Sequence, residues 1–210
     1  MQIAWYSQFC FEIVTTPSKE KVKIIVDPLP VEISKKFAKL EGDISLITHQ
    51  YLNLGENKIS PNKPFLISGP GEYEIKEIFI EGIPSLQKKN TIYTIFSENL
   101  KVCHLGSLKQ SELNENQLER IGEIDILMVP IGGNSTLSPR EAIKIIQQLE
   151  PKIVIPMDYH LSKLKTRLSL FQEFLKILGI KEIKPKDKLN IKKKDLSEEK
   201  EREIVILKAH

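Results

Sequence analysis

The sequence predicts an α/β protein, and two patterns in it carry that reading. Its first half is a series of short runs rich in Ile, Val, Phe and Tyr, each closed by Pro, Gly, Asn or charged residues, as strands and turns of a sandwich or mixed sheet would be. From about residue 111 the apolar spacing widens to the helical period, and helices alternate with strands. A chain of 210 residues with 40% hydrophobic content fills an ordinary core. One domain spanning residues 1–210 is expected.

Strands are expected over residues 2–6, 10–16, 22–27, 43–49, 65–68, 73–80, 91–97 and 101–105, with breaks such as Pro17, Asp27-Pro28, Gly69-Pro70, Glu98-Asn99 and Gly106 between or after them. Helix is expected over 114–121, and a buried strand over 125–130. The helix over 138–149 has a marked start: Ser138 caps it, Pro139 suits the first turn, and Glu141 completes a Ser-x-x-Glu capping box. A second buried strand over 152–156 precedes a helix over 165–178 that stops at Gly179, a left-handed cap. Leu168, Phe171, Leu175 and Leu178 share one face of that helix and read as core packing. Two strand-like runs, 188–192 and 203–207, close the chain on either side of a charged turn in which acidic residues follow the lysines directly.

Charge narrows the partners. Thirty-one basic and 28 acidic residues give a net charge of +3 and are mixed along the chain, which argues against nucleic acid and membrane surfaces and leaves a small molecule or a protein, with homo-oligomers open. Cys10 and Cys103 lie in separate apolar runs without the spacing of a zinc or redox motif, so both are expected as buried free thiols. The N-terminus has no basic start followed by a long apolar core, and no apolar run reaches the ~18 residues of a membrane span. A cytoplasmic protein is expected.

The richest stretch is Asp43-Ile-Ser-Leu-Ile-Thr-His49-Gln-Tyr51-Leu-Asn53-Leu54, where an apolar strand runs into a lone histidine. With Trp5-Tyr-Ser-Gln-Phe-Cys-Phe11, Ile25-Val-Asp-Pro28, Ser68-Gly-Pro-Gly-Glu-Tyr-Glu74, Val102-Cys-His-Leu-Gly106, Asp125-Ile-Leu-Met-Val-Pro-Ile-Gly-Gly133 and Pro151-Lys-Ile-Val-Ile-Pro-Met157, the chain resembles the metallo-β-lactamase superfamily. The likeness is to its small zinc-dependent hydrolase-like branch, related to the ascorbate-phosphate lactonase group. That resemblance implies an α/β metallo-β-lactamase fold, a four-layer αββα sandwich, over residues 1 to about 180 and more weakly beyond.

The resemblance also implies a pair of metal ions, and most of the positions that would hold them have changed, His49 and His104 being kept. The first metal's ligands fall on His49, Tyr51 and His104, and the second's on Asn53, Leu54 and Asp158. The bridging aspartate falls on Ser107, and the usual Gly-His-Ser before Cys10 is Ser7-Gln8-Phe9. A catalytic zinc takes three protein ligands and a water. Leu54 has no donor atom, neither Asn53 nor Ser107 ionises, and Tyr51 would have to ionise from a pKa of ~10. The expectation is that the dinuclear centre is lost. The cofactor is then none, or one divalent metal (Zn, Mn or Fe) at a partial site of His49, His104 and Asp158, with His160 as a substitute ligand. Asp27 is expected to hold loops beside the site, and a cleft is expected around Asp27, Tyr51, Asn53, Ser107, Asp158 and His160. Two functions follow as expectations. One is a non-catalytic homologue that binds or scaffolds, with an apolar cleft at Tyr51, Leu54 and Phe9. The alternative is a metal-dependent hydrolase with a mononuclear site, acting on an ester, lactone or phosphoester.

Overall fold

The computed structural model describes residues 1–28, 40–49, 64–86, 89–133, 135–159, 165–197 and 201–210. Two mixed sheets face each other. In the first, β1 (Gln2–Ser7), β2 (Cys10–Thr15) and β3 (Val22–Val26) run as an antiparallel meander, and β4 (Ile44–Leu46) and β5 (Phe65–Ile67) join parallel to β3. In the second, β6 (Gly71–Ile75), β7 (Ile78–Pro84), β8 (Thr91–Ser97) and β9 (Leu100–His104) are antiparallel neighbours, and β10 (Ile126–Pro130) and β11 (Ile153–Met157) continue parallel to β9.

The parallel strands β10 and β11 are buried at every position, which explains why they read as unbroken apolar runs. Helices α1 (Glu115–Ile121) and α2 (Pro139–Leu149) pack on β7 and β10, and α3 (Lys165–Ile177) packs on α2. Among the described residues, the helices therefore lie on the side of the second sheet. A single apolar cluster joins both sheets, from Trp5 and Phe11 to Tyr93, Met128 and Phe174.

Local chemistry sets the ends of these elements. Ser138 and Glu141 form the expected capping box on α2, and Asn114 and Gln117 form another on α1. Gly179, at φ +71, ends α3 with its N–H on the Lys176 carbonyl and the Ile180 N–H on the Leu175 carbonyl, a Schellman arrangement. Among the described side chains of α3, Phe174 is fully buried, with Phe171, Leu175 and, just past the helix, Leu178 half-buried around it. The tail is spare but decisive: β12 (Leu189–Asn190) adds to β1 and β13 (Glu203–Ile204) adds to β11, so one short segment closes both sheets.

Two strand expectations need correction. Residues 73–80 do not form one strand. Lys76 and Glu77, at φ +51 and +60, turn the chain between β6 and β7. Such a two-residue hairpin turn usually carries Asn-Gly or Asp-Gly, and the Lys-Glu pair hid it. The expected strand over 43–49 pairs only at Ile44–Leu46, which leaves Thr48 and His49 in the loop beyond the sheet.

Candidate functional site

Parallel strands bring their carboxyl ends to one rim, where open α/β sheets gather their functional loops. Asp27 follows β3, Thr48 and His49 follow β4, His104 ends β9, Gly132 follows β10 and Asp158 follows β11. The hairpin turn between β1 and β2 ties this rim together. The Gln8 carbonyl accepts from the Trp5 indole N–H at 3.0 Å and from the Asp158 N–H at 3.3 Å.

Asp27 is buried at φ +47, with its carboxylate given over to Thr48: Oδ1 accepts the Thr48 N–H at 2.8 Å and Oδ2 accepts the Thr48 hydroxyl at 2.6 Å. The same hydroxyl oxygen lies 2.6 Å from His49 Nδ1. A threonine hydroxyl has one proton to donate. With Asp27 charged that proton faces the carboxylate, so Nδ1 of His49 donates and Nε2 carries the ring's lone pair. Burial pushes Asp27 up to about 7 against the two Thr48 hydrogen bonds, and burial pushes His49 down to about 4. The Phe9 ring meets the His49 ring edge-on at 5.1 Å.

His104 is fully buried, and the main chain uses both of its nitrogens. The Gly106 N–H donates to Nδ1 at 3.0 Å, and Nε2 lies 3.1 Å from the Phe9 carbonyl. A backbone N–H only donates, so Nδ1 is the acceptor and Nε2 carries the proton it gives to Phe9. Burial lowers the imidazole's pKa to about 3, against the opposing pull of the Phe9 hydrogen bond. Gly106 is tied in just as closely: at φ +59, a Cβ there would run into the Asn90 side chain and Thr48. Asn90 in turn accepts from the Ser107 N–H at 2.8 Å and donates to the Leu105 carbonyl at 2.9 Å. Ser107, which stands where the resemblance places a bridging carboxylate, is thus a partner of Asn90.

Asp158 sits at φ +61 and is buried. Its Oδ2 accepts the Thr136 hydroxyl at 2.9 Å, and Gly132 leaves no room for a Cβ against its carboxylate and carbonyl. Among the described residues, no three His, Cys, Asp or Glu side chains stand close enough together to hold a metal ion, so His49, His104 and Asp158 do not assemble the expected triad. Tyr51, Asn53, Leu54 and His160 lie outside the described residues. A histidine binds a metal through a ring-nitrogen lone pair, and His104 spends one nitrogen accepting from Gly106 and the other donating to Phe9. The donor set among the described residues does not fit a paired metal centre.

Sequence reading missed Thr48, Asn90 and Thr136, the three side chains that hold Asp27, Ser107 and Asp158. Thr48 was legible as the neighbour of His49. Asn90 and Thr136 carry no sequence signal, since each acts through a partner far along the chain.

The Beta-lactamase superfamily domain family matches residues 2–158. A UPF0173 protein of Pyrococcus abyssi is 31% identical over 186 residues, covering 76% of this chain and 83% of the relative. A UPF0173 metal-dependent hydrolase of Thermococcus onnurineus is 26% identical over 196 residues, covering 76% of this chain and 85% of its own. Among solved structures, a Thermotoga maritima protein whose name assigns it to the Zn-dependent hydrolases of the metallo-β-lactamase superfamily superposes with a TM-score of 0.78 at 30% identity, over 99% of this chain and 98% of that one. With its two mixed sheets and these matches, the chain belongs to the metallo-β-lactamase superfamily and, within it, to the UPF0173 family.

Proposed function

We propose that this member uses the rim at His49 to bind a ligand without a paired metal centre, and that His104 serves the scaffold. The observation that carries this is the engagement of both His104 nitrogens by the main chain, Gly106 N–H to Nδ1 and Nε2 to the Phe9 carbonyl. Recruiting His104 to a metal would require Phe9 to withdraw and would leave its carbonyl buried without that partner, a cost of about 1–3 kcal/mol. The test is metal content by elemental mass spectrometry on untagged protein soaked in zinc, manganese or iron(II) and desalted. It is paired with the ¹⁵N shifts of the His104 ring. The expected result is no stoichiometric metal and an unmoved Nε2–H tautomer; one equivalent that shifts the His104 nitrogens overturns it.

The second reading is a metal-dependent hydrolase of an ester, lactone or phosphoester with a reduced site. The relatives' names support this reading better than they support a loss of catalysis, because they are the names of metal-dependent hydrolases. One feature of the rim also favours it: His49 borders the cleft, with its Nδ1 beside the Thr48 hydroxyl that Asp27 holds. About one equivalent of retained metal, lost in His49→Ala, would support it and justify a substrate screen.

A further inference from the structure

We infer that the cleft beside His49 binds a small oxyanion, the carboxylate or phosphate group of a small molecule, through Lys89. This rests on the reading above that the His49 rim is a ligand site, and it names the ligand's chemistry. The cleft has a volume of about 400 Å³, within the ~300–1,000 Å³ usual for small-molecule sites. Among the described residues, Thr48, His49, the Ser68-Gly69-Pro70 turn, Lys89, Asn90 and Thr91 line it.

Its charge balance sets it apart. Among the described residues that line it, Lys89 is the one charged side chain; it is exposed and has no acidic partner among the described residues. Three other clefts carry their own carboxylates: Glu98 and Asp195 in one, Glu72, Glu74 and Glu81 in another, Glu123, Asp125 and Glu150 in a third. A lysine over a polar hollow, with no carboxylate among the described lining residues, is a point charge that an anion completes.

The walls are built for occupancy. Asn90 is held by Leu105 and Ser107, Thr91 donates its N–H to the Thr48 carbonyl at 2.7 Å, and the Tyr93 hydroxyl reaches the Ile47 carbonyl at 3.1 Å and the Gly69 carbonyl at 3.3 Å. The loops on both sides are therefore fixed to the same buried groups. Gly69 leaves room: a Cβ there meets nothing within 4 Å, and its φ lies outside the left-handed range. A side chain at that position enters open space without strain.

The experiment is a ¹H–¹⁵N titration of the full chain with inorganic phosphate and, separately, with acetate, chloride holding the ionic strength constant. Saturable shifts at the Gly69 and Asn90 amides are expected with one anion or both, and which one acts identifies the group. Lys89→Gln should weaken the Kd by about tenfold, the loss of one charged hydrogen bond. Lys101→Gln, in an acidic cleft elsewhere, should leave it unchanged. Gly69→Leu should abolish the shifts while the rest of the spectrum holds. Shifts scattered over surface lysines, or an unchanged Kd in Lys89→Gln, overturn the inference. Metal retention separates this from the function proposed above: no metal and no anion overturns the anion site alone, whereas retained metal with no anion bound overturns both.

Discussion

His104 and His49 stand on the same rim, yet their surroundings differ in kind. The main chain closes around His104: one ring nitrogen takes the Gly106 N–H, the other meets the Phe9 carbonyl, and the Phe11 ring lies 5.6 Å away. His49 is half-buried, held from one side by Thr48 and Asp27, and borders the cleft on the other. A histidine whose two nitrogens are both spent on backbone groups is a fastener. His49, held at Nδ1 by the Thr48 hydroxyl, instead borders the cleft. On the proposed reading, two positions that one resemblance treats as equal ligands are divided between structure and site.

The most direct way to break this comparison is to remove each ring. His104→Ala leaves a cavity and strands both the Phe9 carbonyl and the Gly106 N–H, so a loss of about 3–5 kcal/mol is expected. His49→Ala should cost about 1 kcal/mol, the net worth of its Thr48 hydrogen bond. Urea unfolding of the two variants measures the gap. Equal losses would show that the two rings do the same work.

Gly106→Ala sharpens the same point from the backbone side. The added methyl would meet Asn90 and Thr48 from a left-handed backbone, and a loss of about 2–3 kcal/mol is expected. Gly69→Leu, on the His49 side, should change stability by no more than about 0.5 kcal/mol, because it enters open space. Thermal unfolding of the pair reads the contrast between a packed loop and an open one.

The sequence announced the sandwich because its strands and caps are local events. Ser138 with Glu141 starts α2, Gly179 ends α3, and the unbroken apolar runs of β10 and β11 mark strands buried on both faces. It misled where a local signal was missing, as at the Lys76-Glu77 turn. The candidate site was legible only as a set of positions. Whether His104 offers a lone pair depends on Phe9, 95 residues away in sequence, and on a backbone N–H two residues on. Asn90 and Thr136 matter through hydrogen bonds that no spacing rule encodes. Residue type shows which chemistry is available, and tertiary hydrogen bonding decides which atom remains able to perform it.

The subtlest difference between the two regions is in their response to acid. His49 and His104 are held well below the ordinary imidazole value, at about 4 and about 3. The unfolded chain therefore takes up their protons first as pH falls through about 6.5, and the stability they contribute above that pH is lost on acidification. Asp27 acts in the opposite direction. Burial raises it to about 7, so the folded state holds its proton while the unfolded chain has released it, and its contribution grows as pH falls toward about 4. Between about pH 4.5 and 6.5 two histidines oppose one aspartate, which leaves a net loss of about 1.4 kcal/mol per pH unit of acidification. Asp27→Asn keeps an acceptor for the Thr48 N–H but removes the opposing proton, so its slope should be about twice the parent's. His104→Gln removes one of the two histidines and should leave a slope near zero. Urea midpoints at pH 4.5, 5.5 and 6.5 for the parent and both variants provide the measurement, and parallel curves for all three would mean that these buried groups do not set the acid response.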